Sequence, residues 1–177
     1  GLGHFPCRLR APKAPGEYYH IYNRGNNKQS VFLDEFDYSR FLLTMLLMQS
    51  DDPVYKPSRL VRDFIKHGRL PIVEPEIAER VARRQVHVSA FTLMPNHFHV
   101  LACELEKDGI AMYMKRLLGG YTQYSNTKRD RVGHVFQGPY QFVHVEDDDQ
   151  LVYLSAYIHR NPHDLPRWRG KERLYPW

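Results

Sequence analysis

Two apolar segments separated by a Pro-Asn pair constrain the fold of this 177-residue chain more than any other feature. Residues 86–94 (VHVSAFTLM) and 97–104 (HFHVLACE) are rich in β-branched and aromatic residues, which predicts two strands. Pro95 and Asn96 favour a turn between them, so the segments form a β-hairpin. Because both faces of the second strand are apolar, it lies in the interior of a sheet.

The second strand of this hairpin carries two histidines on one face. Side chains alternate along a strand, which places His97, His99 and Leu101 on one side and Phe98 and Val100 on the other. Two imidazoles on a buried strand need hydrogen-bond partners when neutral and repel each other when charged. They can also offer two nitrogens to one metal ion. This pattern alone leaves a structural role and a metal-binding role open.

The rest of the chain alternates between helical and strand periodicity. The predicted elements outside the hairpin are a strand over 17–25, a helix over 34–49 capped by Asp34, short helices over 58–67 and 74–84, a long helix over 110–128, a strand over 140–146, and a helix over 147–162 capped by the acidic residues 147–149. This order predicts an α+β domain, with a ferredoxin/RRM-like antiparallel sheet and helices packed on it.

Composition predicts one folded domain between two short terminal segments. We expect a flexible N-terminal leader over 1–16, the domain over 17–165, and a basic C-terminal tail over 166–177. No apolar run approaches the roughly 20 residues that a membrane span needs. Cys7 and Cys103 form neither a disulfide framework nor a zinc ribbon, which favours a reducing, cytoplasmic location.

Basic residues suggest an anionic partner. The formal net charge is +5, and lysines and arginines cluster at residues 80–85, 115–116, 127–131 and 167–173, with tyrosines close to several of these clusters. Single-stranded nucleic acid is bound by such a mixture, because cations pair with phosphates while bases stack on rings. Cations that only solvate helix faces would produce the same composition, so both interpretations stay open at this point.

A polar stripe runs along the last predicted helix beside its core-facing side. Tyr153, Tyr157 and Asn161 are spaced four residues apart, next to the apolar stripe that contains Leu154 and Ile158. Tyr157 therefore flanks the buried face, and Asn161 can lend an amide oxygen to a cation held by the two imidazoles. Oxygen and imidazole ligands suit Mg²⁺ or Mn²⁺.

The segments PNHFHVL (95–101) and YIHRNP (157–162) together resemble the single-tyrosine HUH transposases, and most closely their REP-associated tyrosine transposase branch. Residues 19–42 and 133–163 match the pattern of that branch too, so the resemblance covers residues 17–163. It implies the HUH endonuclease fold.

The resemblance also implies roles for four residues. His97 and His99 correspond to the two metal-binding histidines, Tyr157 to the nucleophile, and Asn161 to the polar metal ligand. The implied enzyme cuts single-stranded DNA beside a hairpin such as a REP-like palindrome, and it keeps the 5′ end as a phosphotyrosine. It uses a divalent metal ion, Mg²⁺ or Mn²⁺, and no nucleotide cofactor.

Several alternatives remain beside this interpretation. A non-catalytic module that binds single-stranded nucleic acid, or a metal-dependent phosphodiesterase that uses water, would carry much of the same pattern. A monomer and a homodimer are both compatible with the sequence. Tyr121, Tyr124 and Tyr153 are rival tyrosines.

Seven residues are predicted to contact DNA: Arg24, Asn26, Lys115, Arg116, Lys128, Arg129 and Arg160. Gly25, between the first two of them, is expected to permit a left-handed turn. His20, His134 and His144 show no ligand-like spacing and are predicted to pack or to remain solvated.

Overall fold

A four-stranded antiparallel sheet forms the centre of the computed structural model, which describes residues 14–54, 56–69 and 74–177. Its strands are β1 (Tyr18–Arg24), β2 (Val86–Met94), β3 (His97–Glu104) and β4 (Gln141–His144). The strand order is β2-β3-β1-β4, with every neighbouring pair antiparallel. The helices are α1 (Glu35–Leu47), α2 (Pro57–His67), α3 (Glu74–Ala82), α4 (Gly109–Arg129) and α5 (Asp148–Arg160). The predicted α+β class and the interior position of β3 are confirmed.

The sheet separates two layers of helices, because successive residues of a strand face opposite sides. On one side, Phe98 of β3 belongs to the main core together with Phe41 of α1 and Leu117 of α4. On the other side, Leu101 of β3 packs with Ile158 of α5 in a second, smaller cluster. The histidines of β3 share the face of Leu101, so they lie on the α5 side of the sheet.

Acidic residues begin two of the helices as predicted. The Asp34 carboxylate accepts a hydrogen bond of 2.9 Å from the N–H of Asp37 at the start of α1. At the start of α5, the Asp147 carboxylate accepts one of 2.7 Å from the N–H of Gln150. Each contact satisfies a backbone donor that has no partner within the helix.

The longest helix, α4, runs through Gly119 and Gly120 without a break. Burial of Tyr113, Met114 and Leu117 against the sheet compensates for the low helix propensity of the glycines. Throughout the described part of the chain, every helix is too short or too polar to cross a membrane.

Gly25 is needed for a close approach of two backbone segments, and the predicted left-handed turn at this residue is wrong. Its backbone is extended, with φ −60° and ψ 142°. A Cβ atom at this position would lie 2.1 Å from the carbonyl oxygen of Gln29. Positive φ angles occur instead at Asn27 and Lys28. The N–H of Gly25 donates a 2.8 Å hydrogen bond to the carbonyl of Asn96, which ties the end of β1 to the β2–β3 turn.

The C-terminal segment over residues 166–177, which we predicted to be a basic tail, folds back against the domain. The N–H of Leu93 donates a 2.9 Å hydrogen bond to the carbonyl of Trp177, and the hydroxyl of Tyr175 donates one of 2.6 Å to the carbonyl of Leu93. The Trp177 ring stacks on Tyr38 of α1 with centroids 5.1 Å apart. These aromatic residues anchor the segment along the outer edge of β2. The boundary at residue 165 stays a prediction, and residues 1–13 of the predicted leader lie outside the described residues.

Candidate functional site

The two histidines of β3 and the polar stripe of α5 meet on one side of the sheet. Nε2 of His97 lies 3.3 Å from Oδ1 of Asn161. The rings of His97 and His99 have centroids 5.1 Å apart and are nearly perpendicular. The ring of Tyr157 lies 5.7 Å from the ring of His99, again edge to face. A single chain thus brings together all four residues that the sequence predicts for the site.

Packing of α5 on the sheet positions the two polar residues. Leu154 and Ile158 are buried beneath the helix, so the half-buried Tyr157 lies at the edge of this apolar contact. Asn161 follows the last residue of α5 in a short 3-10 turn, where it is only 7% exposed. Pro162 ends the α-helical hydrogen bonding at this point because it has no N–H. The helix end is therefore held against the start of β3.

His97 is oriented by its neighbour in the β2–β3 turn. Its Nδ1 lies 2.7 Å from Oδ1 of Asn96, and because an amide oxygen can only accept, Nδ1 carries the proton. Burial lowers the pKa of His97 and outweighs the Asn161 oxygen, which could accept a proton from Nε2 only in the charged ring and would therefore raise the pKa. The neutral ring then holds a lone pair on Nε2, and this lone pair faces the carboxamide oxygen of Asn161.

Two electron-pair donors that face each other fit a cation better than a hydrogen bond. Cis ligands of an octahedral cation, each about 2.1 Å from it, lie about 3.0 Å apart. The 3.3 Å between Nε2 of His97 and Oδ1 of Asn161 is close to that spacing. Among the described residues, no group of three or more His, Cys, Asp and Glu side chains is arranged to hold a metal ion. A cation here would therefore take its remaining ligands from water and a bound phosphate.

His99 is held by His20 of β1, a residue to which the sequence assigned no function. Nε2 of His20 lies 2.9 Å from Nδ1 of His99, and the two rings lie edge to edge, with centroids 5.1 Å apart and 24° between their planes. Burial lowers the pKa of His20 to about 4 and that of His99 to about 3, so both rings are neutral at pH 7. The alternation of β1 is visible in the sequence, but the strand that pairs with it is not. Only that pairing shows that His20 and His99 share a face.

The rival tyrosines lie elsewhere. The hydroxyl of Tyr121 donates to the carbonyl of Val31 at 3.0 Å, and that of Tyr124 donates to the Asp37 carboxylate at 2.7 Å. Both belong to the layer on the opposite side of the sheet, where burial raises the pKa of Tyr121 and raises that of Tyr124 to about 12. Tyr153 is 65% exposed on the outer surface of α5.

Three of the cations predicted to contact DNA have partners inside the protein. Arg116 donates to the backbone carbonyls of Met48 and Ser50 just after α1, and to the side chain of Gln85. Lys128 and Arg129 form ion pairs with Asp37, whose side chain is fully buried. These contacts connect α4 to α1, a structural role that the sequence analysis missed. DNA binding by the three residues stays a prediction.

The other predicted DNA contacts lie in two places. Arg24 pairs with His97 across β1 and β3, and Asn26 follows in the next turn. Arg160 lines a cavity of about 520 Å³ that Tyr157 also lines. Lys115 is exposed on α4, in the other helical layer. Among the described residues, neither Arg24, Lys115 nor Arg160 forms an ion pair.

Comparisons with known proteins show the family and the fold of the chain. The model of the family described as "Transposase IS200 like" matches residues 58–161, a range that includes both histidines of β3, Tyr157 and Asn161. The chain is similar to the solved structure of a REP-associated tyrosine transposase bound to a REP hairpin. That match has a TM-score of 0.63 and 13% identity, and it covers 97% of this chain and 81% of that one.

A second similar structure is a putative transposase from Deinococcus radiodurans R1, with a TM-score of 0.39 and 15% identity over 89% of this chain and 97% of that one. None of the curated proteins compared with the chain matches it. The first of the two solved structures confirms the fold.

Proposed function

Because the chain belongs to the IS200-like transposase family, we propose that it cleaves single-stranded DNA beside a hairpin and keeps one end as a phosphotyrosine. The observation that carries this proposal is the meeting of the four site residues in one chain. His97 lies against Asn161, and Tyr157 packs against His99. A nucleophile and three ligand atoms at one place suit phosphoryl transfer.

In the proposed reaction, the phenolic oxygen of Tyr157 attacks the scissile phosphorus and loses its proton. A bond forms between this oxygen and phosphorus, while the bond from phosphorus to the 3′ oxygen breaks. The departing 3′ oxygen takes up a proton and becomes a free 3′-OH, and the 5′ end stays on the protein. Because the new phosphodiester conserves the energy of the broken one, rejoining to another DNA end requires no nucleotide cofactor.

His97, His99 and Asn161 are the residues that would hold a divalent metal ion, Mg²⁺ or Mn²⁺. When bound, such an ion supplies neutralisation of the charge on the scissile phosphate. The protein's own contribution is to place two neutral imidazoles and an amide oxygen beside the tyrosine. The half-buried position of Tyr157 limits how far its ring can move away from them.

The proposed partner is single-stranded DNA that folds into a hairpin, such as a REP-like palindrome. The solved relative of the same fold is bound to a REP hairpin, and we extend that class of partner to this chain. The proposed phosphate contacts are Arg24, which pairs with His97, Arg160, which lines the same cavity as Tyr157, and Asn26 in the turn after β1. DNA as the partner agrees with the predicted cytoplasmic location.

A denaturing gel tests this proposal. The protein is incubated with Mn²⁺ and a labelled oligonucleotide that carries a hairpin and a single-stranded flank. We expect a covalent protein–DNA band that Tyr157→Phe removes, with a loss of cleavage of about 10³-fold or more. The matched control is Tyr153→Phe, one turn earlier on the exposed surface of α5, and it should cleave like the wild type.

The other outcomes separate the alternatives. Cleavage that survives Tyr157→Phe would show a phosphodiesterase that uses water, and would refute a tyrosine nucleophile. Hairpin binding without cleavage by the wild type would show a non-catalytic binding module.

A further inference from the structure

We propose that His20 is a positioning residue that keeps the proton of His99 on Nδ1 and so leaves Nε2 of His99 free to bind the metal ion. This inference rests on the proposed function, since it assigns a metal to the two histidines of β3. His20 lies outside residues 58–161, the range matched by the family model.

A hydrogen bond between two neutral imidazoles allows two arrangements of protons. In one, Nδ1–H of His99 donates to Nε2 of His20, across the 2.9 Å that separate these atoms. In the other, Nε2–H of His20 donates to Nδ1 of His99, and the proton of His99 then sits on Nε2. Only the first arrangement leaves Nε2 of His99 with a lone pair. Metal binding by His99 therefore requires His20 to be the acceptor.

Burial makes this hydrogen bond hard to replace by water. His20 is 9% exposed and His99 is 5% exposed, so bulk water has little access to either ring. A hydrogen bond in such surroundings is stronger than one in water, and a lost partner is correspondingly costly. The two ring planes lie at only 24° to each other, so this hydrogen bond lies close to the plane of both rings, where the lone pair of an imidazole nitrogen points.

His97 shows the same arrangement with a partner of different chemistry. The oxygen of Asn96 holds the proton of His97 on Nδ1 and can only accept. Asn96 is itself held by donating from Nδ2 to the carbonyl of Lys28 at 3.2 Å. Both proposed ligand rings are thus hydrogen-bonded at Nδ1, which leaves Nε2 of each ring available to bind the metal ion.

His20 also supports the proposed nucleophile. Its ring lies edge to face against the ring of Tyr157, with centroids 6.3 Å apart. One side chain of β1 therefore contacts both a proposed metal ligand and the proposed nucleophile. Loss of this ring would loosen both, whereas contacts with the DNA strand would be unaffected.

The proton arrangement can be read directly in the metal-free wild type. In protein labelled with ¹⁵N-histidine and kept in EDTA, long-range ¹H–¹⁵N correlation spectra distinguish protonated from unprotonated ring nitrogens. We expect His99 and His20 both to carry their proton on Nδ1. A proton on Nε2 of His99 would overturn the proposal, and this measurement needs no variant to fold.

Two variants of His20 and one control test the consequence for metal binding. By titration calorimetry with Mn²⁺, we expect His20→Phe to weaken binding about 10- to 100-fold, and His20→Gln, whose amide oxygen can accept the same proton, to stay within about threefold of the wild type. His144→Phe removes a histidine from β4, away from the site, and should bind Mn²⁺ like the wild type. Thermal unfolding verifies that each variant is folded.

The affinity of each variant for the DNA hairpin in EDTA distinguishes a positioning role of His20 from a purely structural one. If His20 only stabilised the fold, its replacement would weaken hairpin binding as well as Mn²⁺ binding. We expect His20→Phe to bind the hairpin as tightly as the wild type while its Mn²⁺ affinity falls. Equal losses of both, or unchanged Mn²⁺ binding in His20→Phe, would overturn the role of His20. Absence of Mn²⁺ binding by the wild type would instead overturn the proposed function, and the NMR measurement would still decide where His99 carries its proton.

Discussion

The carboxamide oxygen of Asn161 lies 3.3 Å from Nε2 of His97, although 64 residues separate the two along the chain. This contact joins the end of α5 to the start of β3. One turn earlier on α5, Tyr157 is thereby placed against His99. The proposed nucleophile and the proposed metal ligands consequently come from the same chain.

Because one chain carries all four residues, we expect catalysis to need only one chain. Mixing His99→Ala protein with Tyr157→Phe protein should give no covalent adduct beyond that of either variant alone. The gel assay with the hairpin oligonucleotide measures this, and each variant mixed with wild type serves as the control. Recovery of activity in the mixture would show instead a homodimer in which the site residues of two chains complement each other.

Metal-free protein is expected to lose stability as the pH falls below the ordinary histidine pKa. Burial holds the pKa of His20 at about 4 and that of His99 at about 3, below the value of 6.5 in an unfolded chain. At a pH between 6.5 and these folded-state pKa values, the unfolded chain binds protons at the two histidines that the folded chain does not bind. The free energy of unfolding should fall by up to about 1.4 kcal/mol per pH unit for each ring. Urea unfolding in EDTA between about pH 6.5 and about pH 5 measures this slope.

His20→Gln and His67→Gln are the matched variants for this slope. The first removes one of the two buried rings and should make the slope smaller. The second changes an exposed histidine at the end of α2 and should leave the slope as it is. If the free energy of unfolding of His20→Gln depended on pH as steeply as that of the wild type, the buried His20 ring would not be a source of the pH dependence.

Among the charged residues that connect α1 to α4, Asp37 is expected to contribute most to stability. Its burial alone would raise its pKa, but the N–H of Leu33, together with Lys128 and other partners, lowers it overall. Asp37→Asn leaves two cations without their buried counter-charge and should cost about 3 to 5 kcal/mol in the free energy of unfolding. Urea unfolding at pH 7 measures the loss.

Asp34→Asn is the control for Asp37→Asn. Asp34 also pairs with Lys128, at 2.6 Å, but its side chain is 50% exposed. Asparagine caps a helix as well as aspartate does, so this change should cost less than about 1 kcal/mol. Equal losses in the two variants would show that burial of Asp37 is not what makes its charge important.

Arg160 is expected to contact a DNA phosphate beside the nucleophile. Arg160→Gln should weaken hairpin binding and reduce the slope of log affinity against log salt by about 0.7 to 0.9, the contribution of one phosphate contact. Arg59→Gln is the control, since Arg59 is 70% exposed on α2, in the other helical layer. Fluorescence anisotropy at several salt concentrations measures both slopes. Identical slopes for Arg160→Gln and the wild type would show that Arg160 does not contact a DNA phosphate.

Periodicity in the sequence predicted the elements of the fold closely. The hairpin strands were expected over residues 86–94 and 97–104 and have those bounds. The long helix was expected over 110–128 and spans Gly109–Arg129. The predicted family is confirmed as well. Such features are local, because alternation and helical spacing are properties of a few consecutive residues.

The sequence did not predict the contacts between segments that are distant along the chain. The sequence predicts DNA contacts for Lys128 and Arg129, and only the fold shows that the buried Asp37 lies beside them. The sequence predicts a basic tail at the C-terminus, and only the fold shows that Trp177 of this segment stacks on Tyr38. In each case the partner lies far away along the chain, and no local pattern identifies it.

The sequence by itself determined the α+β class, the family, and the candidate site residues His97, His99, Tyr157 and Asn161. Tertiary structure alone decided that these side chains meet in one chain and that His20 holds His99. The physical reason is that a buried ring takes its hydrogen-bond partner from whichever strand lies beside it. Pairing of β1 with β3 is set by the packing of the whole sheet, and neither strand carries that information alone.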